Sequence, residues 1–197
     1  FDDEGALRSL RPYPTHWRNY IPATYYITHS LAPLMYITGA FPKRVTAMPV
    51  FKPINEFKAD GYNAGERTAI ITTLNDDDSV YRVMGWGQLG AHDNSYRICG
   101  TKGQIENVRG SEVDGGKNKI MLRYNAWEKP EDKDEVNLYE AVWGEEGEEI
   151  FEKTGHGGGD YFCCREFMRA IEEGRQPEFP FDYKSAIAMS SVAILAH

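Results

Sequence analysis

Cysteine is scarce in this sequence: three residues in 197, two of them adjacent at Cys163-Cys164. Neighbouring cysteines do not ordinarily pair with each other, so no disulfide framework can hold the chain together. That excludes the small secreted scaffolds and favours a reducing, cytoplasmic setting. Cys99 falls in an apolar strand pattern and reads as a small core residue. Long hydrophobic runs are missing too, and no stretch reaches the length of a membrane-spanning helix, so no membrane partner is expected. Basic residues are outnumbered, 22 Lys and Arg against 30 Asp and Glu, for a net charge of −8. Nucleic-acid binding needs clustered positive charge, and this balance argues against it. Cys/His spacings for zinc and a nucleophile elbow are both lacking.

What is present is the profile of an ordinary globular chain, 41% apolar and 26% charged, long enough for one substantial core or at most two small ones. The stretch from Tyr25 to Gly39 organises the reading. Thr28 or Ser30 can cap a helix, Leu31, Leu34, Met35 and Thr38 recur at helical spacing, and Gly39 is a natural stop. Pro33 is tolerated only near the first turn, where a missing N–H costs least. His29 then sits at the helix mouth, directly after Tyr25-Tyr26. The helix dipole there favours a neutral imidazole able to take a proton, while a histidine that caps or fills a core edge is the structural alternative. Ahead of it, His16-Trp17-Arg18-Asn19-Tyr20 combines a ring that can stack on a sugar with a rigid donor fork; a loop pinned by an aromatic anchor fits the same residues.

Beyond Gly39 the period changes to two. Residues 44–50, 68–74, 80–86, 95–100, 104–108, 119–124 and 136–143 read as strands, and residues 51–65 as an irregular excursion. Turns at 75–79 and 101–103 make hairpins of their neighbours. Hairpin follows hairpin without a helix between, which predicts a mixed α/β (α+β) fold. Its centre is an open, mainly antiparallel sheet of about six to eight strands, with helices packed on one face. Tyr81, Val83, Tyr96, Ile98, Ile105 and Met121 cannot all face those helices, so the other face is expected to pair with a second copy of the chain. The final third turns helical. Asp160 reads as an N-cap, Cys164, Phe167, Met168 and Ile171 as an apolar stripe, and Gly174 as the stop. Asp182 caps a last helix whose Ala186, Met189, Ala193 and Leu195 read as core.

Gly155-His156-Gly157-Gly158-Gly159-Asp160 precedes the first of these helices. It is neither a dinucleotide fingerprint, because Asp160 stands where the third glycine is required, nor a P-loop, because no Lys-Ser or Lys-Thr follows. An aspartate there would repel a phosphate. The glycines either hold His156 close to a ligand at the helix terminus or form a plain surface connection.

Together these residues resemble a known family. Trp17-Arg18, Tyr26-x-Thr28-His29-x-Leu31-x-Pro33, Gly100-Thr101-Lys102-Gly103, Gly155-His156-Gly157-Gly158-x-Asp160-Tyr161 and Ala170-Ile171-Glu172-Glu173-Gly174-Arg175-x-Pro177 occur in the order seen in the C-terminal domain of the glucose–fructose oxidoreductase/inositol dehydrogenase (Gfo/Idh/MocA) family. The two histidine motifs are most similar to the NAD-dependent α-N-acetylgalactosaminidases. The resemblance implies that residues 1–197 form a single substrate-binding and oligomerisation domain of a larger protein, inactive without its own N-terminal Rossmann domain, which would bind NAD or NADP. It implies that His29 is catalytic, handling the hydroxyl proton of the sugar carbon being oxidised, and that Trp17, Arg18, Tyr25, Tyr26 and His156 contact a sugar-like substrate. No metal is implied.

Sugar dehydrogenases of the family often carry Asp four residues before this His. Here that place is Tyr25, which favours the glycosidase-like branch, whereas the Arg18–Tyr26 spacing is shorter than in the glycosidases. The expected function is that of an NAD(P)-dependent sugar oxidoreductase domain. A retaining glycosidase that oxidises the sugar transiently and a non-catalytic oligomerisation scaffold are the two alternatives.

Overall fold

Period-two alternation decides the strands, and the computed structural model of the chain describes residues 13, 16–17, 21–50, 68–85, 95–110, 118–140, 149–150 and 153–197. Two compact units divide the chain: residues 1–90 with 182–197, and residues 91–181. Mixed α/β architecture with antiparallel strands is what the hairpin pattern predicted. Among the described residues the seven strands pair as one group of three and one of four.

In the first unit, β1 (Pro42–Val50), β2 (Thr68–Asn75) and β3 (Val80–Gly85) lie in sequence order. Ala69, Ile71, Thr73, Tyr81 and Val83 point to one face and are buried. The opposite face carries a row of residues in direct register, Met48 opposite Ile70 and Ile70 opposite Met84. These stand 74%, 51% and 61% exposed, whereas Tyr81 and Val83 both lie on the buried face.

The β2–β3 turn is built around Asn75, whose side chain is buried. Its Oδ1 accepts from Thr73 Oγ1 at 2.8 Å and its Nδ2 donates to Ser79 Oγ at 2.9 Å. Asp78 supplies the left-handed residue at φ +64°, a conformation that Asp tolerates better than most side chains.

Two helices cover the buried face. A 3-10 turn, Ala23–Ile27, runs directly into α1 (Thr28–Thr38). This corrects the expected cap, since neither Thr28 nor Ser30 serves as one. The chain arrives already helical, and Ile27 holds the cap position without a side-chain bond. Leu31, Leu34 and Met35 are buried, and Gly39 ends the helix at φ +73°, its N–H donating to the Met35 carbonyl at 2.8 Å.

Tyr81 locks that end. Its hydroxyl donates to the Ala40 carbonyl at 3.1 Å and meets Thr38 Oγ1, which donates to the Leu34 carbonyl at 2.8 Å. Burial pushes the phenol pKa above its ordinary value. Tyr81→Phe leaves the Ala40 carbonyl without that partner and is expected to destabilise the first unit by about 1–2 kcal/mol in urea unfolding. An unchanged midpoint would show that the lock contributes nothing.

The last helix, α3 (Tyr183–Ala196), packs on β1, the 3-10 turn and α1. Asp182 caps it as expected: Oδ1 accepts from the backbone N–H of Lys184 at 2.8 Å and of Ser185 at 3.0 Å, and Oδ2 from Ser185 Oγ at 2.7 Å. These bonds, Ser185's first, hold the carboxyl below its ordinary pKa of 3.8. A depressed native pKa means that the unfolded chain binds the extra proton first. The cap therefore acts fully above the ordinary value and is lost as pH falls through the lower native one. Asp182→Ala is expected to lower the melting temperature by a few degrees at neutral pH, with the gap to wild type closing as pH drops below about 3.8. A gap independent of pH would refute the assignment. The core side of α3 is Ser185, Val192, Ala193 and Ala196. Ala193 was expected there, but Ala186 and Leu195 are exposed, because they fall off the 3.6-residue stripe that meets β1 and α1.

The second unit carries β4 (Arg97–Cys99), β5 (Gly103–Val108), β6 (Lys119–Tyr124) and β7 (Val136–Glu140), again in sequence order. Ile98, Ile105 and Leu122 share one face. Met121 lies on the other, in line with Arg97 and Glu106, which pair at 2.6 Å. Cys99 is exposed rather than in the core, because it alternates with the half-buried Ile98 on a three-residue strand.

Helix α2 (Gly159–Glu172) ends in a closed C-terminal motif. Gly174 at φ +64° donates to the Ile171 carbonyl at 3.2 Å, and Arg175 donates to the Ala170 carbonyl at 3.0 Å. Its apolar stripe is present but exposed at Cys164, Phe167, Met168 and Ile171, and within this helix Ala170 is the buried residue. The expected strand continuation past Glu140, the 51–65 excursion, Trp86 and nearly all of the lead-in before Ile21 lie outside the described residues.

Candidate functional site

The mouth of α1 is built from local sequence. The 3-10 turn brings residue i and residue i+3 onto one side, so the rings of Tyr26 and His29 lie 6.2 Å apart between centroids, tilted by 39°. Tyr26 is half-buried and His29 exposed. The imidazole Nδ1 stands 3.3 Å from the Tyr26 carbonyl oxygen and 3.4 Å from Thr28 Oγ1. A carbonyl oxygen can only accept, so this contact needs the proton on Nδ1 and leaves Nε2 as the basic nitrogen. Ser30 Oγ donates to the Met84 carbonyl at 3.3 Å and ties this first turn to β3. Pro33 falls in the second turn, where its ring nitrogen offers no hydrogen to the carbonyl of His29 four residues back.

Tyr25 and Trp17 are each described by their own neighbours. Tyr25 is exposed, its ring edge-on to His197 at 6.4 Å. Trp17 is exposed beside His16, with 5.6 Å between ring centroids, and His16 in turn meets Tyr13 edge-on at 5.3 Å. Arg18 lies outside the described residues. His156 belongs to the second unit.

There, a 3-10 turn over Gly155–Gly158 feeds α2, with Gly158 at φ +88° as the N-cap. Asp160 is therefore not the cap that its sequence position suggested. It sits in the first helical turn, and its carboxylate is taken up by His156, whose Nδ1 is 3.0 Å from both Oδ1 and Oδ2. That hydrogen bond, then the carboxylate charge, raises the imidazole pKa above its ordinary 6.5.

Sequence reasoning passed over Thr28 and Asp160 as partners of the two histidines. Asp160 had a readable signal, since i,i+4 spacing across a helix mouth places two side chains together. Among the described residues, no group of three or more His, Cys, Asp or Glu could hold a metal ion, and no helix is long and apolar enough to cross a membrane.

The fold is shared with a solved protein. UDP-N-acetylglucosamine 3-dehydrogenase GnnA from Acidithiobacillus ferrooxidans superposes with a TM-score of 0.58 over 93% of this chain, at 14% identity. The chain spans about half the length of that protein, 50% of it. No family model matches the sequence, and no curated protein matches it. At so low an identity the likeness establishes the architecture, and the chemistry has to be argued from the side chains.

Proposed function

We propose that this chain is the substrate-binding and oligomerisation domain of an NAD(P)-dependent oxidoreductase of the Gfo/Idh/MocA family, acting on a sugar or sugar derivative. The observation that carries the reading is the fold shared over 93% of the chain with a protein named for oxidising a sugar nucleotide. The order of the two histidine motifs supports it independently.

NAD(P) is assigned to a Rossmann domain outside these residues. The glycine-rich stretch before α2 does not suit a pyrophosphate, because the Asp160 carboxylate stands in the first turn where the phosphate charge would lie. The cofactor's part in such a reaction is to accept hydride from the sugar carbon. This chain's part is the proton. His29 takes the hydroxyl proton on Nε2, while the Tyr26 carbonyl holds the ring through Nδ1. Tyr26, Trp17 and Arg18 contact the sugar, and Tyr25 and His156 complete the substrate contacts. The Met48–Ile70–Met84 face is assigned to a second copy of the chain.

Tyr25, at the place where dehydrogenases of the family often carry Asp, favours a second reading: a retaining glycosidase in which the sugar is oxidised only transiently. One assay of the full-length protein separates the two. UDP-N-acetylglucosamine and free N-acetylhexosamines with NAD or NADP are expected to yield net reduced cofactor. Cleavage of an aryl N-acetylgalactosaminide without net reduction would replace the dehydrogenase by the glycosidase. Neither activity, with a dimer that is lost on Ile70→Glu, would leave an oligomerisation scaffold.

A further inference from the structure

His156 is held in an unusual way for an exposed histidine. Its backbone is left-handed at φ +52°, within a turn whose other residues are all glycine. Its Nδ1 meets both oxygens of one carboxylate at 3.0 Å, and the two side chains are 84% and 61% exposed. An ion pair so exposed adds little to fold stability. What it does control is the ring. A carboxylate only accepts, so the hydrogen between the two groups belongs to Nδ1. In water a lone imidazole prefers its hydrogen on Nε2, and a carboxylate facing Nδ1 favours the opposite tautomer.

We infer that Asp160 is a positioning residue that fixes His156 as the Nδ1–H tautomer and presents Nε2, on the far side of the ring, as the atom that meets a substrate hydroxyl. This rests on the reading above that His156 lines the sugar site, and it adds the working atom and the residue that selects it. The arrangement parallels that of His29, where Nδ1 is also the nitrogen engaged by the protein, there through the Tyr26 carbonyl. The Asp160 charge also stabilises the imidazolium, in keeping with the raised pKa. Nε2 can thus donate to an oxygen when the ring is charged and accept from a hydroxyl when it is neutral.

The test uses full-length protein carrying 15N-labelled histidine and long-range proton–nitrogen correlation spectra of the imidazoles. Above the ring's pKa, wild type is expected to show His156 with its hydrogen on Nδ1. Asp160→Ala is expected to return the ring to the Nε2–H form and to lower its pKa. Asp160→Asn, whose amide oxygen still accepts, is expected to keep the tautomer while lowering the pKa. Wild-type His156 found as the Nε2–H tautomer, or a tautomer unchanged in Asp160→Ala, would overturn the inference. Adding UDP-N-acetylglucosamine is expected to move the Nε2 resonance. If Asp160 controls the tautomer but that resonance does not move, the substrate role of Nε2 falls and the sugar-site reading with it. Tautomer control would still stand.

Discussion

His29→Ala is expected to lower kcat of the full-length protein in the proposed sugar oxidation by about 10²–10⁴-fold, the usual contribution of a positioned general base. The imidazole stands at the mouth of α1 on a turn tied to β3 by Ser30, and its Nδ1 faces the Tyr26 carbonyl, which puts the hydrogen on Nδ1 and the lone pair on Nε2. Because the proton moves only as the reaction proceeds, kcat and kcat/KM should fall together while substrate affinity changes little. Added imidazole should restore part of the rate in His29→Ala, an effect that a purely structural histidine would not show. A loss smaller than about tenfold, or a loss confined to KM, would remove His29 from the proton-transfer role.

Gly103→Ala carries the largest expected effect on stability. The turn from Gly100 to Gly103 closes with the Gly100 N–H donating to the Gly103 carbonyl at 2.8 Å. Asn125 then clamps it from the end of β6, its N–H on the Lys102 carbonyl at 2.8 Å and its Nδ2 on the Thr101 carbonyl at 2.6 Å. Gly103 lies directly opposite Tyr124. A Cβ there would stand 3.0 Å from Tyr124 Cα and 3.1 Å from Arg123 C, and would overlap the Arg123 carbonyl oxygen. All three are backbone atoms of the neighbouring strand, so no rotamer change relieves the clash and β5 must move away from β6. The expected cost is about 3 kcal/mol or more, read as a lower urea midpoint with faster amide exchange along β5 and β6. Gly100→Ala is the control, since its nearest neighbour would be the Gly103 carbonyl oxygen at 3.9 Å, an ordinary contact. Equal effects of the two substitutions would refute the steric account.

Much of the architecture was legible because it is encoded within a few residues. Gly39 and Gly174 take the left-handed conformation that ends a helix, Asp182 accepts from the N–H groups two and three residues on, and Asn75 to Ser79 contains its own turn chemistry. The candidate site was legible to the same distance. Tyr26 and His29 meet because they are three residues apart on a helical turn, and the glycines around His156 marked a place where the backbone takes unusual angles. What was misread concerned two helix caps and burial. Cys99, Ala186 and Leu195 read as core residues, yet they are exposed. Hydrophobic spacing says which residues share a face, and only packing says whether that face is covered.

The amino-acid sequence alone determined where helices stop and hairpins turn, and the pattern that put histidines at two helix mouths, because propensity, C-terminal glycines and turn geometry act over three or four residues. Tertiary structure alone decided which faces are buried, that Gly103 presses on the Arg123 carbonyl, and that Tyr81 closes the end of α1. Those outcomes depend on the distance between atoms brought together by folding, a quantity that spacing along the chain does not contain.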